Sequence, residues 1–165
     1  MRFILAGVER LRKLWLVVAL ILCFFVSGCS PESRDTIFAY VNDTHELLEV
    51  FPYEELEELG RWDSAYSEFI KNHLGNETIV ESIYAYNEDI IQFSCRGWGL
   101  SVGSIYTGFY FSRNDTPFAF EFGDGSDLEE IQTGVFYWQS EERSTRNIRT
   151  GKIRDNWYYF IQEWR

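Results

Sequence analysis

Gly99-Leu100-Ser101-Val102-Gly103 spells GxSxG, the pattern in which a strand-to-helix elbow exposes a nucleophilic serine. Such an elbow needs an acid and then a histidine downstream. The chain's two histidines, His45 and His73, both precede it, and the residues that follow read as a strand, so the motif is expected to be a loop. Metal chemistry has little material: His45-Glu46 lacks the second histidine of HExxH, and no Cys or His pair has ligand spacing. The oxygen-rich stretch Gly123-Asp124-Gly125-Ser126-Asp127-Leu128-Glu129-Glu130 misses the positions of a calcium-binding loop and reads as a turn. Glu54, Glu55, Glu57 and Glu58 read as the wet face of a helix. No catalytic residue, metal or cofactor is assigned.

Two concentrations of side chains remain. The 137 residues from Cys29 onward hold 26 aromatics, and Trp98, Trp138, Trp157 and Trp164 fall in or beside strand-like segments. Phe136 and Trp138 alternate onto one strand face, where a row of rings could stack a sugar or grip a protein. Trp98, Phe136, Trp138 and Trp157 are therefore candidate contacts; the competing reading is that these rings fill a core. The second concentration is Arg143, Arg146, Arg149, Lys152 and Arg154, five of the eleven basic residues after position 28. Arg143, Arg146 and Arg149 are candidate contacts for an anion or a partner. Against this, spacing by three alternates faces on a strand, and neighbouring acids such as Glu141 and Glu142 can offset the charge.

The elements that position these residues divide by period. Asp43 with Glu46 is a capping signature, followed by Leu47, Leu48, Phe51, Leu56 and Leu59 up to Gly60, with Pro52 starting a new turn. Asp63 can cap a second helix carrying Ala65, Tyr66, Phe69, Ile70 and either His73 or Leu74, stopped by Gly75. From Thr78 the period becomes two, and strands are expected at 78–86, 89–97, 104–113, 116–122, 133–141, 147–153 and 156–164. The expected fold is α+β: one or two N-terminal helices packed on a curved antiparallel β-meander of six to seven strands. Cys95 alternates with Ile91 and Phe93 and reads as a small buried hydrophobe.

The start of the chain carries an address. Residues 1–13 hold four basic side chains, 14–26 are all apolar, and Ser27 and Gly28 follow, the three-part pattern of a secretory signal. Thirteen apolar helical residues rise about 20 Å, short of the roughly 30 Å hydrocarbon core of a membrane. Val26-Ser27-Gly28-Cys29 resembles the lipobox of bacterial lipoproteins. That resemblance implies cleavage between Gly28 and Cys29, a diacylglycerol on the Cys29 thiol, and anchoring through acyl chains in the cell envelope, on the outer face of the cytoplasmic membrane or in the outer membrane. The expected organisation is 1–28 signal peptide, 29–36 lipidated cysteine and short tether, and 37–165 a single acidic domain.

The chain's net charge of −11 becomes −14 once the basic residues of 1–28 are removed. So acidic a domain repels a phosphate backbone, which excludes nucleic acid as a partner. The expected function is a non-catalytic binding module of the envelope, most simply for a basic protein partner in an inhibitor, immunity-type or envelope-assembly role, since charge steers such an encounter. The alternatives are a carbohydrate-binding module using an aromatic sheet face and a small envelope hydrolase using acidic residues.

Overall fold

The computed structural model describes residues 31–59, 64–95, 97, 103–120, 128–139 and 146–164. Gly28 and Cys29 lie outside the described residues, and so do Asp63, Trp98, the serine of GxSxG, 121–127 and Arg143. Pro31–Arg165 cluster as one compact unit.

Helix α1 spans Arg34–Glu49. Ser33 caps it by accepting from the Thr36 backbone N–H at 3.1 Å, and Asp35 in the first turn suits the positive end of the helix dipole. The start therefore differs from the expected Asp43, which is exposed in mid-helix, and part of the segment expected to be tether is helical from Arg34. The physical reason is burial. Ile37, Val41 and Leu48 form an interior stripe that begins upstream of Asp43, and tertiary packing outweighs a local capping signature. Leu47, expected in the stripe, is exposed instead. Pro52 does start a new element, as N-cap of α2, Tyr53–Glu57. Helix α3, Ser64–Leu74, buries Tyr66, Ile70 and Leu74 at spacing four and stops at Gly75, whose φ of +89° is the left-handed conformation expected just past a helix end.

Seven antiparallel strands make one sheet: β1 Val80–Ala85, β2 Ile90–Cys95, β3 Ile105–Ser112, β4 Glu129–Gln132, β5 Val135–Gln139, β6 Arg146–Arg154 and β7 Trp157–Trp164. With the helices at 34–74, the fold is α+β. The strand order is β1-β2-β3-β7-β6-β5-β4, so two meanders, β1 to β3 and β4 to β7, join along the β3·β7 seam. A strand beginning at 116 does not form. Residues 116–119 carry no regular structure, and Phe120 sits in a turn. The slot beside β3 is taken by β7, Pro117 has no N–H to give a ladder, and the Phe118 N–H donates at 2.9 Å to the Tyr110 hydroxyl. The charged strand β4 begins at Glu129, inside the stretch expected to be a turn, and pairs with β5 across a turn at Gly134.

The two faces have separate cores. One, under the helices, joins Ile37, Val41, Leu48, Ile70 and Tyr66 to Ile83, Phe93, Phe109, Trp157 and Tyr159, with Phe93 and Phe109 stacked at 4.8 Å. Helix α3 also closes the β1 edge: the Tyr66 hydroxyl accepts from the Ile83 N–H at 3.0 Å and donates to the Ile83 carbonyl at 2.9 Å. This occupies backbone groups that an edge strand otherwise offers to another chain. The second core, on the opposite face, is smaller: Ile90, Tyr110, Phe120, Ile148, Tyr158 and Phe160, with Phe118 and Trp138 against it.

Candidate functional site

The register of β1, β2, β3 and β7 decides what the helix-free face carries. Ser82 pairs with Ser94, Ser94 with Gly108, and Gly108 with Phe160, so a row of small residues crosses three strands. One row away on the same face, Tyr84 pairs with Gln92; on the other side Tyr106 pairs with Gln162, and Trp164 follows two residues further along β7. Small residues between two aromatic rows leave a trough. It is a groove of about 480 Å³ lined by Ser82, Tyr84, Tyr86, Gln92, Ser94, Tyr106, Gln162 and Trp164, with Glu81, Cys95, Gly97 and Phe160. Gly108 has no room for a side chain: a Cβ there would lie 2.7 Å from the Phe160 ring, which rests against the strand and forms the floor. Gly97 packs on Tyr106 in the same way, its Cβ position 2.6 Å from that ring. Both rings are set by glycine contacts, so the walls are preformed.

The polar groups of this lining are unevenly satisfied. The Gln92 amide donates to the Ser94 hydroxyl at 3.3 Å. Gln162, only 8% exposed, makes no side-chain hydrogen bond among the described residues. The Trp164 indole nitrogen is likewise buried without a partner, while the Arg146 guanidinium lies over the Trp164 ring, 3.6 Å from its centroid. Buried polar groups are normally paired, so the Trp164 indole nitrogen is an exception here, as is that of Trp157 in the helix-side core. Cys95 is buried beside it; burial pushes its thiol well up from its ordinary range, which keeps it protonated and unreactive.

The candidates named from sequence scatter. Trp157 is a correction: at 1% exposure, packed on Phe93, Phe109 and Phe111, it lies inside the helix-side core and not on the helix-free face. Phe136 and Trp138 do share the helix-free face of β5, but both are half-buried and Trp138 packs against the second core, so they are not an exposed row. Arg146 and Arg149 project to opposite faces of β6, Arg146 beside the groove and Arg149 exposed on the other side. No single basic patch includes both, because an offset of three reverses the face of a strand. Nearby, Lys152 bonds Asp115 at 2.5 Å and Asp155 at 3.1 Å, and Arg154 contacts the His45 ring at 2.8 Å, so these charges act inside the fold.

The residues that line the groove were missed as a set. Trp164 stood out only as one more tryptophan, and Tyr84, Tyr86, Gln92, Tyr106 and Gln162 not at all. The available signal was Gly108 in mid-strand, which marks a close approach of another group to the backbone. A second opening of about 540 Å³, lined by Glu49, Tyr53, Ile91, Phe111, Arg113, Asn156 and Trp157, lies on the helix side. Exposed large apolar side chains among the described residues are dispersed: Leu47 and Val50 on α1 and just past it, Ile131 on β4, and Tyr86 and Tyr106 in the groove. No group of His, Cys, Asp or Glu among the described residues is placed to hold a metal ion, and no described helix is long and apolar enough to cross a membrane. No family model matches the chain, and neither a curated protein nor a solved structure is similar to it.

Proposed function

We propose that this chain is a bacterial envelope lipoprotein, anchored by acyl chains on Cys29, whose domain is a non-catalytic module that binds a saccharide in the groove of the helix-free sheet face. One observation carries the choice of ligand. The groove combines tyrosine and tryptophan rings with carboxamide and hydroxyl groups, and the C–H faces and O–H edges of a pyranose need that mixture. The protein-partner reading has less support, because two of the five large apolar side chains exposed among the described residues sit inside the groove and the others are spread over the end of α1 and β4. The lipobox resemblance of Val26-Ser27-Gly28-Cys29 supports the anchor.

The full chain, expressed in a bacterial host and extracted with a detergent that has no sugar head group, is to be applied to a panel of immobilised glycans. The expected result is retention on at least one glycan and loss of that retention in the double variant Tyr84→Ala/Tyr106→Ala. No retention on any glycan, or retention unchanged in that variant, refutes the groove as a saccharide site. The anchor is tested by intact mass: residues 29–165 plus acyl groups are expected, and Cys29→Ser should abolish both the cleavage and the added mass.

A further inference from the structure

The groove is longer than one sugar, and its length narrows the ligand class that rests on the saccharide reading above. Two of its rings, Tyr86 and Tyr106, are each 39% exposed and stand toward opposite ends. The register fixes their separation. Tyr86 is level with Ile90, to whose carbonyl its backbone N–H donates at 2.9 Å, and Ile90 pairs with Ser112. Ser112 and Tyr106 are six residues apart on β3, so the two tyrosines lie about 20 Å apart along the strands. Neighbours hold each ring at its own end. Tyr106 packs at Gly97, past the end of β2, whereas Tyr86 packs on Phe118 at 5.7 Å and Phe120 at 5.3 Å.

A ligand that stacks on both rings must span that distance. An extended pyranose chain advances about 5 Å per unit, so a disaccharide covers one ring only, and the groove's 480 Å³ is in the range of sites that enclose larger ligands. Between the two rings, Ser82 pairs with Ser94 and Ser94 with Gly108, and these small residues give the middle units their depth. We infer that the groove takes an extended glycan of about four linked pyranose units, one end stacked on Tyr106 and the other on Tyr86, with the middle lying over Ser94 and Gly108. Each ring supplies a separate stacking contact, so affinity climbs with chain length until both are covered.

The test is calorimetric titration of the full chain, in the same detergent, with cello-, chito- and manno-oligosaccharides from the dimer to the hexamer. In at least one series the pentamer is expected to bind about tenfold more tightly than the dimer, the equivalent of one added ring contact, and the hexamer no more tightly than the pentamer. Tyr86→Ala and Tyr106→Ala should each bring the pentamer down to the level of the dimer and leave the dimer within about twofold of its wild-type affinity. Tyr86→Phe should keep the gain, since it keeps the ring. That split separates a stacking platform from a structural residue, whose loss would weaken both lengths alike. A dimer that binds as tightly as the pentamer, a gain with length that survives both alanine variants, or a variant that weakens dimer and pentamer equally overturns the inference and leaves saccharide binding standing. So does the absence of binding in all three series while a glycan of the panel is retained. No binding in any series, together with no retention on the panel, refutes both.

Discussion

The same strands build two different surfaces. Along β2 and β3, Phe93 and Phe109 turn toward the helices while their neighbours Ser94 and Gly108 turn away, and each pair sits directly across the strand boundary from its counterpart. On the helix side, large residues meet large residues under α1 and α3 and close a core. On the other side, small residues meet small residues, and among the described residues the sheet is covered from Tyr110 and Tyr158 onward by Phe118 and Phe120. One alternation thus makes both a core and a trough. The difference teaches that the face without helices is not an unfinished core: its depth comes from paired positions, and its rings are held by glycine contacts.

Substitutions on the two faces should separate stability from binding, and Phe93→Ala should have the largest effect. Phe93 is fully buried and stacks on Phe109, so its loss should cost about 3–5 kcal/mol, read from urea unfolding. A cost below about 1 kcal/mol would mean the helix layer does not close this face. Tyr66→Phe follows. It keeps the ring but leaves the Ile83 N–H and carbonyl at the β1 edge without partners, a loss of about 1–3 kcal/mol. Light scattering should also show association through the opened edge, and a strictly monomeric variant of wild-type stability would show the hydroxyl to be idle.

The effect of acid should be smaller and confined to one latch. Asp115 accepts from Lys152, from the Asn156 backbone N–H at 2.9 Å and from the Tyr158 hydroxyl at 3.1 Å. These bonds, that from Lys152 foremost, hold its carboxyl below the usual value of 3.8, while burial and the facing Asp115 push the Tyr158 hydroxyl up to about 12. A carboxyl depressed in the folded state adds stability that is present above its ordinary value and lost as pH falls through the folded one. The melting temperature should therefore drop more steeply below about pH 4 in the wild type than in Asp115→Asn, whose amide also tolerates the φ of +51° there. Parallel curves would remove the latch from the acid response. The smallest stability change is expected for Tyr106→Ala, an exposed groove ring, at about 0.5 kcal/mol, with glycan retention weakened all the same. A large loss of stability there would make the trough part of the core.

What could be read in advance follows the range of the interactions involved. The strands at 80–85, 90–95, 105–112, 135–139, 146–154 and 157–164 were legible because period-two alternation is local, and the Gly75 stop and the Pro52 break because each acts on its own backbone. The start of α1 was misread because Ile37 and Val41 draw their stability from a sheet far along the chain. The strand expected from 116 failed because its place beside β3 belongs to β7, more than forty residues later. Trp157 looked like a surface candidate because a strand pattern shows two faces without saying which one the helices cover.

Composition and local pattern by themselves determined the acidic charge, the α+β class, the period of the strands and the likeness of Val26-Ser27-Gly28-Cys29 to a lipobox, all properties of neighbouring residues. Tertiary structure alone decided the join of β3 to β7, the burial of Trp157, and the alignment of Ser82, Ser94 and Gly108 between Tyr84 and Trp164. The reason is register: shifting one strand by one residue sends every side chain to the opposite face, and only long-range pairing selects among such shifts.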